Sequence, residues 1–144
     1  MAAGDAEALR SLWVDEPLDL VALFGLDVSA WPQLFAMLGP DTGVTFRPLL
    51  PGADDPGYRG PAGLAAGWSD WLEPYASYVI EIEDFVDARD YVYMPVRVRA
   101  RTRRDGVAVE HAPAAVCEMR DGRPARVAFY LDRKEARAAA GLDG

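Results

Sequence analysis

The chain has 144 residues, a formal net charge of −8, one histidine and one cysteine, a size that fits one domain burying about two thirds of its unfolded surface. The acidic balance argues against a nucleic-acid partner, since phosphate binding requires clustered positive charge, and Cys117 alone can form no internal disulfide. No run approaches the ~18 apolar residues of a membrane span, and the N-terminus lacks a basic-then-apolar leader pattern, so the expected location is the cytoplasm.

In chain order, the first 43 residues read as helical pieces. Asp5 to Val14 places Leu9, Leu12 and Trp13 on one helical face, and Glu16-Pro17 interrupts it. Leu18 to Leu26 predicts a second short helix. Ser29 reads as the N-cap of a third, with Trp31, Leu34, Phe35 and Leu38 in one stripe and Gly39-Pro40 as its stop. Val44 to Leu50 is a strand candidate, followed by a Pro/Gly/Asp-rich loop to Gly60. Pro61 then suits the first position of a helix running to Glu73, whose apolar face carries Leu64, Trp68, Trp71 and Leu72.

Tyr78 to Asp132 predicts a four-stranded antiparallel meander. In its first strand Tyr78, Ile80, Ile82 and Val86 share a face, which leaves Asp84 pointing inward unless the strand bulges near its end. Tyr91 to Arg103 alternates Val92, Met94, Val96, Val98 and Ala100 with arginines, the period of a strand with one buried face. Asp105-Gly106 and Asp121-Gly122 are two-residue hairpin signals. Taken literally, they pair Arg101 with Glu110, Val96 with Ala115, Pro113 with Tyr130 and His111 with Asp132. That register puts Arg97, Arg99 and Arg101 outside with Glu81, Glu83 and Glu110. It also places Ala112, Ala114, Val116, Val127, Phe129 and Leu131 together on the outer face, an apolar patch that predicts a sheet-to-sheet homodimer around Phe129. Arg133 to Ala140 closes the chain as a helix ending at Gly141.

Tyr58-Arg59-Gly60 before an aromatic-rich helix, the segment FVDARDYVYMPVRVRART, and EMRDGRPARVAFYLDRKEARAAAGL together resemble the SnoaL-like branch of the nuclear transport factor two-like superfamily. The resemblance spans about Val44 to Leu142 and implies an α+β fold, a curved antiparallel sheet wrapped around helices into a cone with an apolar pocket. On it, residues 1–144 form one domain, with 1–43 as its helical N-terminal part. Relatives include ketosteroid isomerases, polyketide cyclases and limonene epoxide hydrolases, and no cofactor is implied. Cyclase and epoxide hydrolase relatives keep a working aspartate at the end of the final strand, where this chain has Asp132. Isomerase relatives carry a base as Asp-Pro on the first strand. Here the segment reads Phe46-Arg47-Pro48, and an arginine cannot be that base.

The candidate site is therefore His111 with Asp132, an imidazole held in one tautomer by a carboxylate, in a pocket lined by Tyr130, Trp68, Trp71, Met94 and Val96, with Arg47 as an anion contact. Each has a structural alternative. Asp132 opens a capping-box-like Asp-Arg-Lys-Glu, an inward His is more often a hydrogen-bonded core residue, and two tryptophans on one stripe are usually core. One His and one Asp fall short of a catalytic metal site. Two functions remain. One is a cyclase- or isomerase-type enzyme doing acid–base chemistry on a carbonyl compound; the other is a non-catalytic module that binds a small apolar molecule or a second copy of itself. His111 and Asp132 at a deep pocket wall favour the first, and a pocket closed by Trp68, Trp71 and Met94 favours the second.

Overall fold

The computed structural model describes residues 5–13, 17–24, 31–36, 38–39, 41–47 and 58–142. The chain runs α1 (Asp5–Ser11), β1 (Leu18–Asp19), α2 (Leu20–Leu23), α3 (Gln33–Ala36), β2 (Gly43–Arg47), β3 (Tyr58–Arg59) and α4 (Gly60–Leu72). It continues through β4 (Tyr75–Ile82), β5 (Val86–Ala88), β6 (Tyr91–Thr102), β7 (Ala108–His111), β8 (Ala114–Arg120) and β9 (Arg123–Tyr130) to α5 (Arg133–Ala139). Ser29 and the end of the predicted first strand, residues 48–50, lie outside the described residues.

Among the described residues the strands form one sheet in the order β1-β4-β6-β8-β9-β2-β3, with β5 and β7 also pairing with β6. The meander is antiparallel as expected. β2 adds a parallel pair with β9, Phe46 opposite Phe129, which is possible because the whole meander lies between them as the crossover. Strand β6 changes partners along its length. Its first half pairs with β5 and β8 and its second half with β4 and β7, which curls the sheet. Val92, Met94, Val96, Val98 and Ala100 point inward and are buried, while Arg97, Arg99 and Arg101 are exposed, as the period-two pattern requires.

The first hairpin differs from its predicted register. Thr102 closes the loop with its backbone N–H on Val107 O (3.0 Å), its carbonyl under Gly106 N–H (3.1 Å) and its hydroxyl under Val107 N–H (2.9 Å). The loop is therefore four residues, and Arg99 rather than Arg101 stands opposite Glu110. A shift of two leaves every side chain on its own face, so the inward and outward sets survive. Outside, Arg97 pairs with Glu83 (3.1 Å), Arg99 with Glu81 (3.2 Å), and Arg101 donates to Gly106 O (3.0 Å).

The second hairpin is a two-residue turn, with positive φ at both Asp121 and Gly122. Beyond it the ladder slips by one residue, pairing Met119 with Pro124 but Glu118 with Arg126. Pro124 brings no N–H to the ladder, and a bulge sits beside it. A one-residue slip exchanges faces. Phe129 now lies opposite Ala115 and Val127 opposite Cys117, both facing the core, while Tyr130 lies opposite Ala114 on the other side. The outer apolar patch predicted around Phe129 is not formed. Tyr130 packs instead with Ala88, Tyr93, Ala114 and Val116 against Ala136 and Ala140 of the α5 segment. The homodimer expected through that patch loses the surface on which it was drawn.

Two breaks also differ from the continuous strands predicted. Pro113 separates β7 from β8, its carbonyl accepting Val96 N–H at 2.9 Å. Residues 83–85 separate β4 from β5, where exposed Asp84 accepts from Phe85 N–H and the Arg10 guanidinium, each at 2.8 Å. The second predicted helix begins instead as β1, paired with Val79 and Ile80.

Helix α4 lies against β2 and β3 at close range. A Cβ on Gly67 would stand 2.3 Å from Phe46 Cε1, and one on Gly63 2.9 Å from the Tyr58 carbonyl carbon. Gly63 and Gly67 thus form a flat strip that lets the helix approach, leaving Leu64, Trp68 and Leu72 as its buried large side chains.

Candidate functional site

A cavity of about 80 Å³ lies between α4 and the inner face of the sheet. Its walls come from Leu64, Trp68 and Trp71 of α4, Tyr78, Ile80 and Ile82 of β4, Met94, Val96 and Val98 of β6, Ala115 and Cys117 of β8, and Val127 and Phe129 of β9. Phe46 completes one side, with Leu9, Phe35 and Leu38 from the N-terminal part. Among the described residues the wall carries no Asp, Glu, Lys, Arg or His. The aromatic rings interlock: Trp68 stands 5.0 Å from Phe129, 5.3 Å from Phe46 and 5.8 Å from Tyr78 between centroids.

The polar groups of the site cluster at Tyr78, which is 1% exposed. Asp19 fixes its strand, one carboxylate oxygen accepting from both Val21 N–H and Tyr78 N–H at 3.1 Å and so joining the α2 cap to β4. The Tyr78 oxygen accepts from Trp71 Nε1 at 3.3 Å and lies 3.1 Å from His111 Nε2. Burial pushes the phenol well above its ordinary range, so it stays protonated, and burial likewise lowers the His111 pKa, favouring the neutral ring. The arrangement that satisfies all three groups has Tyr78 accepting from Trp71 and donating to an unprotonated Nε2.

Trp68 presents a different case. Its ring is 7% exposed, and its Nε1 is the buried side-chain polar atom without a hydrogen-bond partner among the described residues. Cys117 is inert by comparison: burial, reinforced by the charges of Asp5 and Glu118, pushes its thiol up to about 12, and its Sγ lies 3.5 Å from Met119 Sδ.

The expected site residues separate into two groups. Trp68, Trp71, Met94 and Val96 meet at the cavity. His111 faces inward, half-buried, but stands opposite Val98 on a ladder of its own and bonds to Tyr78. Asp132 is exposed and caps α5, accepting from Lys134 N–H at 2.9 Å. The predicted His111–Asp132 contact is not made: the two side chains share no hydrogen bond or ion pair. The break at Pro113 and the slip beside Pro124 removed the register that would have created it. Tyr130 reaches the cavity edge, but its ring belongs to the layer under α5. The backbone of Arg47 pairs with Tyr130, and its side chain lies outside what is described. Sequence reasoning placed Tyr78 in the core but missed its bond to His111, because that contact needs the β4–β6–β7 register. It also passed over the glycines at 63 and 67, a visible helical-spacing signal.

The Arg133 guanidinium bonds to Glu83, Val96 O (2.9 Å) and Pro113 O (3.3 Å), tying α5 to the middle of β6 and to the breaks that follow β4 and β7. With Arg133 first and Arg97 second as partners, the Glu83 carboxyl is held below its ordinary range. Among the described residues no group of three or more His, Cys, Asp or Glu converges as a metal site, and no helix is long and apolar enough to cross a membrane.

The SnoaL-like domain family matches residues 22–127. The chain belongs to this family. Its fold is the nuclear transport factor two-like cone, shared with solved structures at low identity. A SnoaL-like polyketide cyclase, so described, from Jannaschia sp. is 12% identical, with 99% of this chain and 96% of that one covered at a TM-score of 0.64. TerC, co-crystallised with polyporic acid, is 13% identical, with 95% and 98% covered at 0.63. A Catenulispora acidiphila protein with a ketosteroid isomerase-like fold, in complex with trimethylamine, is 13% identical, with 93% and 92% covered at 0.59. No curated protein matches the sequence.

Proposed function

We propose that this SnoaL-like domain binds a small, uncharged, largely apolar molecule in the cavity between α4 and the sheet. One observation carries the reading: the wall is built from Trp68, Trp71, Met94, Val96, Phe129 and other apolar side chains and contains no charged group among the described residues. An ion placed there would give up its hydration without a counter-charge, a cost of several kcal/mol or more. A hydrocarbon surface gains roughly 25 cal/mol per Å² buried. At about 80 Å³ the cavity is roughly half of the ~150 Å³ that admits benzene, so it takes at most one small ring, and only as its side chains give way. The small molecules in the TerC and Catenulispora structures support a ligand-binding role for the fold. A titration of 15N-labelled protein with benzene, toluene and cyclohexanone tests this. Saturable shifts confined to Trp68, Trp71, Met94 and Val96 are expected; shifts scattered over the surface, or none, sink the reading.

A second reading, acid–base catalysis, is favoured by the Tyr78–His111 contact of 3.1 Å. A neutral imidazole behind a protonated phenol is a pair able to pass a proton toward or away from the cavity wall. Incubating the protein with cyclohexanone in D2O distinguishes the two functions. Catalysed deuterium uptake at the carbons beside the carbonyl, lost in His111→Ala, supports the enzyme; uptake at the buffer rate leaves binding alone.

A further inference from the structure

We infer that Trp68 Nε1 is the recognition donor of this pocket and that the bound molecule offers it one uncharged oxygen acceptor, a ketone or ether oxygen on a ring. This rests on the pocket reading above and narrows it. The indole lines the cavity and is 7% exposed, and its N–H, itself closed off from the open space, has no hydrogen-bond partner among the described residues, so an acceptor reaches it as the surrounding side chains give way. A buried donor left unpaired is destabilising, and native structures leave few of them.

Among the described residues no oxygen or nitrogen of the protein accepts it. Trp68 is ringed by Phe24, Phe46, Tyr78 and Phe129, and the one hydroxyl among them, that of Tyr78, is already engaged by Trp71 and His111. The neighbouring indole is different, because Trp71 Nε1 donates to Tyr78 at 3.3 Å. Two tryptophans one helical turn apart thus divide the work. Trp71 is spent on the protein, and Trp68 keeps its donor for an occupant.

The chemistry of the acceptor follows from the wall. A carboxylate or phenolate would have no cation among the lining residues, so the acceptor is neutral. A hydroxyl would bring a donor of its own, and the described wall holds no free acceptor beside Trp68 to receive it. A carbonyl or ether oxygen accepts one N–H and leaves nothing of its own unpaired but a lone pair, the cheaper loss.

The test compares two single-ring probes, cyclohexanone and methylcyclohexane, by following the indole N–H resonances of the 15N-labelled wild-type chain, assigned through bonds. Cyclohexanone should move the Trp68 N–H downfield on saturation, as a new hydrogen bond does, and methylcyclohexane should bind without that shift. Trp68→Phe should weaken cyclohexanone roughly threefold to tenfold more than it weakens methylcyclohexane, the worth of one net hydrogen bond. If that variant fails to fold, the wild-type resonance decides. Equal behaviour of the two probes at Trp68 would overturn the inference and leave the pocket reading standing, with the N–H spent against the rings of Phe46 or Phe129. Binding of neither probe would overturn both.

Discussion

The Tyr78 hydroxyl joins two neighbours at once, lying 3.1 Å from His111 Nε2 and accepting the Trp71 N–H at 3.3 Å. It connects β4 to α4 and β7 across the inner face of the sheet, where the apolar wall meets titratable chemistry. Removing it exposes what each partner depends on. Tyr78→Phe keeps the ring and should destabilise the fold by about 1–3 kcal/mol, because the Trp71 donor is left unpaired and His111 loses its partner. A urea midpoint unchanged from wild type would show that the bonds contribute nothing.

His111 gives the fold an acid-side sensitivity. Burial lowers its folded pKa below the 6.5 of the free side chain. The unfolded chain therefore takes up the proton first, and the contribution present above pH 6.5 is lost as pH falls through the lower folded value. Thermal midpoints measured between pH 7.5 and 5.5 should fall more for wild type than for His111→Gln. Parallel curves would mean that the ring is solvated in the folded state.

Asp132 caps α5 and shares no hydrogen bond or ion pair with His111. Asp132→Asn preserves an N-capping side chain and should leave both stability and cyclohexanone binding close to wild type, while Asp132→Ala should cost about 0.5–2 kcal/mol. Loss of binding in Asp132→Asn with an intact fold would return the carboxylate to the site.

Gly67 permits the approach of α4 to β2. A methyl group there meets the Phe46 ring at 2.3 Å, and that ring is itself packed on Trp71, Trp68 and Phe129. Gly67→Ala should destabilise by about 1–3 kcal/mol through overpacking, more than offsetting the ~1 kcal/mol that alanine gains in a helix. A more stable variant in a denaturant titration would show that helix and strand are free to separate.

Much of the fold was legible because period-two and helical patterns are long and mutually consistent from Pro61 onward. The inward row of β6 and the arginines opposite survived a two-residue error at Asp105-Gly106, since parity alone fixes the face. The site was less legible because it depended on absolute register across two hairpins. At Pro124 a bulge shifted the last strand by one and exchanged Phe129 with Tyr130. The composition of that strand held the correction: Val127 and Phe129 are its larger apolar residues, and burying them was a stronger constraint than the geometry of a turn. At Pro113 the missing N–H split one predicted strand in two and detached His111 from the last strand. The N-terminal pieces were least legible, since Leu18-Asp19 has the composition of a helix start and becomes a strand only through Val79 and Ile80.

The central claim, that the cavity under α4 is a ligand site, is tested most directly by calorimetric titration of cyclohexanone into wild type and Ala115→Leu. Ala115 is 5% exposed, lines the cavity and faces Met94 and Phe129 across the sheet, so a leucine there occupies the space a ligand would take. The account predicts saturable one-site binding to wild type and none to the folded variant. Equal binding to both would place the ligand elsewhere and contradict the claim.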